Sequence, residues 1–127
     1  MDFNHFLTSY MPDTSIGSSQ HFKNMLEECE TAEKLGYATV SIPEHHLINL
    51  LMMPSPLQMA VKIASVTKNI KITTGIVVLP LHDMRTYAGE VATADILTDG
   101  RLILGVGRGA FPWEMKRLGT PIEQSKE

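Results

Sequence analysis

The chain has 127 residues, of which 43% are hydrophobic and 20% charged, the length and composition of one globular domain rather than of a disordered segment. A formal charge of −3 without a lysine or arginine cluster argues against a nucleic-acid partner held by bulk electrostatics. No basic segment followed by an apolar run opens the chain and the longest apolar stretch, residues 72–81, is broken by threonine, glycine and proline, so neither a signal peptide nor a membrane span is expected, and the expected compartment is the cytoplasm.

Residues 2–7 read as a first short strand with Phe3 and Phe6 as its bulky members, followed by a turn-rich loop over 12–19. Over 19–35, Phe22, Met25, Leu26, Cys29 and Ala32 recur at helical spacing with glutamates on the other face, and Gly36 stops the helix. Cys29, the only cysteine, leaves no disulfide and no metal-ligand pair and reads as a small core residue. Residues 37–42 are aromatic and β-branched, a second strand ended by Pro43.

The connection 43–54 carries Glu44, His45 and His46 and then an apolar run from Leu47 to Met53. Loops lie in water, so such residues must line a pocket, cover the end of a barrel or meet another subunit. Ser55 and Pro56 form an N-cap and first-turn proline for a helix with Leu57, Ala60, Val61 and Ala64 on one face. Residues 70–79 read as one strand, a nearly unbroken apolar run with Gly75 in its middle, where glycine points to a bulge or a close backbone approach. A third helix over 85–97 is expected to turn Ala88, Val91, Ala92 and Leu97 inward. Asp99 and Gly100 turn the chain into a fourth strand, Arg101 to Leu104 and Val106, whose apolar run suits a strand covered on both faces. Residues 110–114 read as loop, with Trp113 as a surface or lid anchor, and 121–127 as the opening turn of a further helix. Strands alternating with helices imply an α/β fold built on a parallel sheet.

Two stretches carry candidate chemistry. Glu44-His45-His46 lies just past the C-terminal end of a strand, where parallel α/β folds place acid and base groups. Adjacent side chains on an extended segment point opposite ways, so one imidazole at most faces a pocket while the other packs; the alternative is two partly exposed loop imidazoles, and a zinc site lacks its third and fourth ligands. Gly105, Gly107 and Gly109 alternate at the end of the fourth strand, where backbone N–H groups can approach a ligand and Arg108 adds a planar cation. Residues 105–110 match G-x-G-x-x-A, but a dinucleotide site belongs in the first βα unit and Pro112 interrupts this loop; tight strand packing is the competing reading of the glycines.

Glu44-His45-His46, the stretch from Thr74 to Pro80 and the stretch from Gly100 to Gly109, with the opening Met1 to Leu7, together resemble the bacterial luciferase-like flavin monooxygenases, in the order and at the spacing of that family. The resemblance implies a (β/α)8 TIM barrel binding FMN, or in a sister branch a deazaflavin, at the C-terminal ends of its strands. A full barrel takes about 250 residues, so this chain is expected to hold the N-terminal half, about four βα units. By resemblance, His45 matches the active-site histidine and His46 its neighbour, both candidate catalytic residues. Gly75 and Ile76 match a pair that forms a non-prolyl cis peptide behind the flavin, and Arg108, flanked by Gly107 and Gly109, matches an arginine near the flavin phosphate. Luciferase carries a reactive cysteine at the position of Gly107, so light emission is not expected. The implied activity is oxidation of a small, apolar organic substrate by reduced FMN and O₂, with the isolated segment inactive and the apolar loop 47–53 shielding the reacting flavin from water. Deazaflavin-dependent hydride transfer is the alternative within enzymes, and a truncated, non-catalytic flavin-binding or subunit-pairing protein the alternative outside them. Open edge strands and an uncovered apolar inner face are expected to drive homo-oligomerisation, two copies about a two-fold axis being the simplest form.

Overall fold

A computed structural model of the chain describes residues 1–121 and Glu123. In chain order its elements are β1 (Asn4–Phe6), α1 (Ser18–Lys34), β2 (Thr39–Ile42), α2 (Pro56–Val66), β3 (Lys71–Thr74), β4 (Val77–Val78), α3 (Met84–Leu97), β5 (Leu102–Ile103), β6 (Val106–Gly107) and α4 (Pro112–Arg117), with 3₁₀ turns at Thr14–Ile16 and Leu79–Leu81. β1, β2, β3 and β5 pair in parallel and in sequence order, each joined to the next across a helix, which is how the wall of a βα barrel is laid down.

The period of two along each strand sorts the residues onto two faces. On one, His5, Val40, Ile72 and Leu102 stand in register. Val40, Ile42 and Ile72 on that face are fully buried against Met25, Cys29 and Ala32 of α1 and Met59, Ala60 and Ile63 of α2, so the core lies between sheet and helices. The other face aligns Phe6, Ser41, Thr73 and Ile103, and it departs from the apolar surface expected. The Asn4 amide oxygen accepts hydrogen bonds from the hydroxyls of Thr39 (2.5 Å) and Ser41 (2.9 Å), so the first layer of this open face is polar and satisfied, and only Phe6 (53% exposed) and Ile103 (44%) present large apolar groups.

The third and fourth strands, expected to be continuous, are both broken. β3 pairs with β5 and stops at Thr74; pairing resumes between β4 and β6 in a separate two-stranded sheet beyond a cis peptide between Gly75 and Ile76. At the break the Thr74 hydroxyl donates to the Gly105 carbonyl and accepts the Gly105 N–H, both at 2.8 Å, and the Val77 N–H donates to the same carbonyl at 2.9 Å. The backbones approach so closely that a Cβ on Gly105 would lie 2.2 Å from the Thr74 carbonyl oxygen, which gives this glycine its packing role. The apolar run 101–106 is not covered on both faces either. β5 and β6 close their sheets at an edge, leaving Ile103, Leu104 and Val106 exposed. Arg101, by contrast, is buried, its guanidinium donating to the carbonyls of Ala64 (2.7 Å) and Thr98 (3.2 Å) and to the Thr67 hydroxyl (3.0 Å), which ties the ends of α2 and α3 to the start of β5.

α3 turns a different face inward from the one expected. Tyr87 and Ala94 are buried and Val91 half-buried, while Ala88, Ala92 and Leu97 are exposed. The buried stripe at i, i+4 and i+7 begins on an aromatic residue with a polar end, and alanines scattered around the helix give the other faces a similar apolar count. Residues 112–117, expected in part as loop, form α4; Pro112 at its first position and Lys116 and Arg117 in its last turn are the start and stop signals. Pro56 opens α2 as expected, although Ser55 makes no side-chain cap bond. The expected helical turn over 121–127 falls almost wholly outside the described residues.

Two side chains report on the solidity of this packing. Cys29 is fully enclosed, and burial, reinforced by Glu28, pushes its thiol up to about 12, as suits an inert core residue. Burial alone would raise the Glu33 carboxyl, yet N–H groups of Asn69, Ile70 and Lys68, with Arg101 nearby, hold it below the usual glutamate range. It thereby stitches the end of α1 to the start of β3.

Gly105→Ala is expected to cost about 3 kcal/mol, because backbone rather than a movable side chain blocks the new methyl, whereas Gly89→Ala in the open middle of α3 should gain up to about 1 kcal/mol. Urea denaturation of both variants checks the contrast. Since the folded Glu33 value is depressed, its stabilisation is full above the ordinary value near 4.5 and is lost as pH falls through the folded value. Glu33→Gln should therefore be about 1 kcal/mol less stable near neutrality, with the gap closing below about pH 4.5 in the same denaturation series.

Candidate active site

A cluster of buried and half-buried polar side chains, Glu44, His46 and His82, forms past the ends of β2 and β4. Glu44 follows β2 and Pro43, and its side chain is fully enclosed. One carboxylate oxygen, Oε2, accepts the N–H of Val78 at 2.7 Å. The other, Oε1, is shared by Nε2 of His46 at 2.6 Å and Nε2 of His82 at 2.8 Å. A carboxylate only accepts, so both imidazoles present Nε2–H to it. His82 sits one residue before Asp83, whose carboxylate caps α3 by accepting the Arg85 N–H, and its ring stacks on Tyr87 with centroids 4.0 Å apart and planes 28° from parallel. Burial pushes the Tyr87 phenol up to about 12, helped by the charges of Glu44 and Glu90, and its buried hydroxyl has no hydrogen-bond partner.

His45 and His46 point apart, as adjacent residues on an extended segment should. His46 is drawn back onto Glu44. His45 instead lines an open cleft of about 620 Å³ together with Phe22, Leu47, Ile48, Leu51 and Met52. The apolar loop 47–53 therefore does line a pocket, and only Met53 of the run goes into the core. Its path is fixed by backbone bonds from Met11 to the Leu50 carbonyl, from Met52 to the Ser9 carbonyl and from His45 to the Met53 carbonyl, each between 2.8 and 3.0 Å. The His45 ring lies 5.3 Å from that of Phe111, and its Nδ1 is 3.7 Å from Oε2 of Glu114. Glu114, buried in the first turn of α4, accepts the backbone N–H of His46 with its other oxygen.

Of the remaining expected site residues, only Gly75 lies against side chains of the open face. A Cβ on Gly75 would lie 3.2 Å from Cβ of Ser41 and 4.0 Å from the Phe6 ring, and one on Gly107 would lie 2.3 Å from Cδ1 of Ile76. Gly75 is thus packed against Ser41, and the Ile76 side chain occupies the space that a side chain at Gly107 would need. Gly109 has φ +86° and sits under Val78 and Met115, a turn position, and Arg108 is exposed with no ion pair among the described residues. Sequence reasoning missed Glu114, His82 and Tyr87. Glu114 could have been reached through the helix signals around Pro112; His82 is a lone loop histidine whose partner lies 38 positions away, and no local pattern announces it. Among the described residues no group of three or more histidine, cysteine, aspartate or glutamate side chains is placed to hold a metal ion, and no helix is long and apolar enough to cross a membrane.

A family model described as luciferase-like monooxygenase matches residues 1–127. The chain belongs to the luciferase-like monooxygenase family. Within it, the chain is 35% identical over 99 residues to the oxygenase component of a flavin-dependent trigonelline monooxygenase of Acinetobacter baylyi, covering 78% of this chain and 28% of that one. It is 26% identical over 127 residues to the alkanal monooxygenase alpha chain of the Kryptophanaron alfredi symbiont, covering 35% of that protein. The solved oxygenating constituent of 3,6-diketocamphane monooxygenase from Pseudomonas putida, in complex with FMN, superposes with a TM-score of 0.88 at 25% identity over 100% of this chain and 35% of its own. The chain thus spans about a third of the length of these luciferase-like relatives, and its parallel wall corresponds to the N-terminal part of their TIM barrels.

Tyr87→Phe removes a buried hydroxyl with no partner and keeps the stack on His82, so its stability should match or exceed that of the parent by up to about 1 kcal/mol. Because the folded phenol is raised from 10.0 to about 12, the unfolded state ionises first, and the parent should lose stability relative to Tyr87→Phe as pH rises from about 10 to 12. The contribution of protonated Tyr87 is full below about pH 10 and is withdrawn as pH climbs towards 12, a decline that thermal melts should show in the parent and not in Tyr87→Phe.

Proposed function

We propose that this chain forms the N-terminal wall and part of the active-site mouth of a flavin-dependent monooxygenase acting on a small, apolar organic substrate. The match of the family model to the whole chain carries the reading, and the site fits it. A cofactor that approaches backbone closely is served by Gly75 and Gly107, which carry no side chain, and proton transfer needs an acid/base group with a nitrogen not already committed, which His45 supplies. FMN, when bound, would carry the electrons with which O₂ oxidises the substrate.

In this reading the backbone of Gly75 and Ile76 backs the flavin ring, and Arg108, with Gly107 and Gly109 beside it, holds the cofactor phosphate as a charge-assisted hydrogen-bond donor. His45 moves the proton at the reacting centre. His46 has its Nε2 committed to Glu44, so it positions the loop rather than transferring a proton. Leu47, Ile48, Leu51 and Met52 supply the apolar cleft wall that excludes water and favours an apolar substrate. The exposed edge residues Ile103, Leu104 and Val106 support burial of this edge in a larger assembly, and we propose a homo-oligomer in the cytoplasm.

In the full-length protein, His45→Ala should lower turnover of an accepted substrate, found from a panel of small aldehydes and ketones, by about 10² to 10⁴ with FMN affinity retained. Arg108→Ala should weaken FMN binding by about 1.5 to 3 kcal/mol in a flavin-fluorescence titration. Turnover unchanged in the first variant removes His45 from the chemistry, and unchanged affinity in the second removes Arg108 from the phosphate.

A further inference from the structure

We infer that Glu114 is the positioning carboxylate of His45, setting that ring in the Nδ1–H tautomer so that Nε2 is left as the proton acceptor. The inference rests on the reading of His45 as the proton-transfer group and adds the residue that would make it one.

Glu114 addresses two consecutive residues from a different element. Its Oε1 accepts the His46 N–H and its Oε2 stands 3.7 Å from His45 Nδ1. That separation is longer than a hydrogen bond, but Nδ1 is sealed from solvent and has no other partner, and a buried polar atom left unpaired is costly. Catalytic hydrogen bonds are often long before ligand closes a site. Nε2 is not among the sealed atoms, so the two ring nitrogens have opposite surroundings. A carboxylate has no proton to give, so the nitrogen turned towards it must carry one. Both ends of the pair are held. Phe111 flanks the ring and the Met53 carbonyl takes the His45 N–H, while α4 is pinned by buried Met115 against Gly109.

The neighbouring histidine is set the other way. Glu44 takes Nε2–H from His46 and from His82, so two buried carboxylates impose opposite tautomers on adjacent residues, and only His45 is left with an uncommitted Nε2. In Glu114→Gln the side-chain oxygen can still accept the His46 N–H, but the amide nitrogen then faces Nδ1 as a donor and reverses the preference, as amide-for-carboxylate replacement does in a catalytic triad.

The test is nitrogen NMR of the full-length protein labelled in histidine, free of flavin and substrate, under alkaline conditions where the imidazoles are neutral, with resonances assigned by single histidine replacements. The parent should show His45 as Nδ1–H and His46 as Nε2–H; Glu114→Asp should keep both; Glu114→Gln should convert His45 to Nε2–H and lower kcat by about 10² to 10⁴ with KM and FMN affinity changed less than about threefold. An Nε2–H His45 in the parent overturns the inference without any variant, as does Glu114→Gln that leaves the tautomer or kcat unchanged while His45→Ala is inactive. A fully active His45→Ala strikes the proposed function instead, since the tautomer is read without turnover.

Discussion

A buried negative charge is the constraint around which this end of the molecule is built. The Glu44 carboxylate has no exposure to water, and an uncompensated charge in that position would cost several kcal/mol. It is compensated only if three segments arrive together: the loop bearing His46, the second half of the third strand through the Val78 N–H, and the turn before α3 through His82. The loop ends at the barrel mouth are therefore determined by a polar requirement as much as by the apolar core beneath them, and the cleft wall beside His45 inherits that order.

The division of the third and fourth strands serves the same end. Had residues 70–79 run on as one straight strand, Val78 would have stayed in line with β3; instead pairing moves to a second small sheet, and the Thr74 hydroxyl bridges the break by bonding both polar groups of Gly105. The backbone bonds lost from the ladder are thus replaced locally, as buried peptide groups require. The same rearrangement brings the Ile76 side chain against Gly107, where only glycine leaves room for it.

The order of the main strands and helices was legible in the sequence because α1 and α2 have a strong apolar period and the strands are β-branched runs between turn residues. Cys29, Met25 and Ala32 fall inward where the spacing puts them. The failures have physical causes. In α3 the inward stripe begins on Tyr87, whose polar end conceals it among alanines. In the fourth strand an apolar composition did not reveal that Ile103 and Val106 lie at a sheet edge, since edge position depends on what pairs with the strand and not on the strand itself. At the site, the pair His45 and His46 stands out by adjacency, but the carboxylate facing each comes from a different distance: Glu44 is two residues from His46, whereas Glu114 is 68 residues from it. Long-range polar pairing leaves no periodic trace.

The polar character of the sheet's open face bears on how such a protein is made. In a family whose members run well beyond this segment, the first four βα units leave the ribosome before any later strand can cover them. A lumen-facing layer of Asn4, Thr39, Ser41 and Thr73, with Asn4 already bonded to two hydroxyls, is wetted rather than sticky during that interval. A wall with its helices packed and a largely polar inner layer has less to gain from premature association than one lined throughout by apolar side chains.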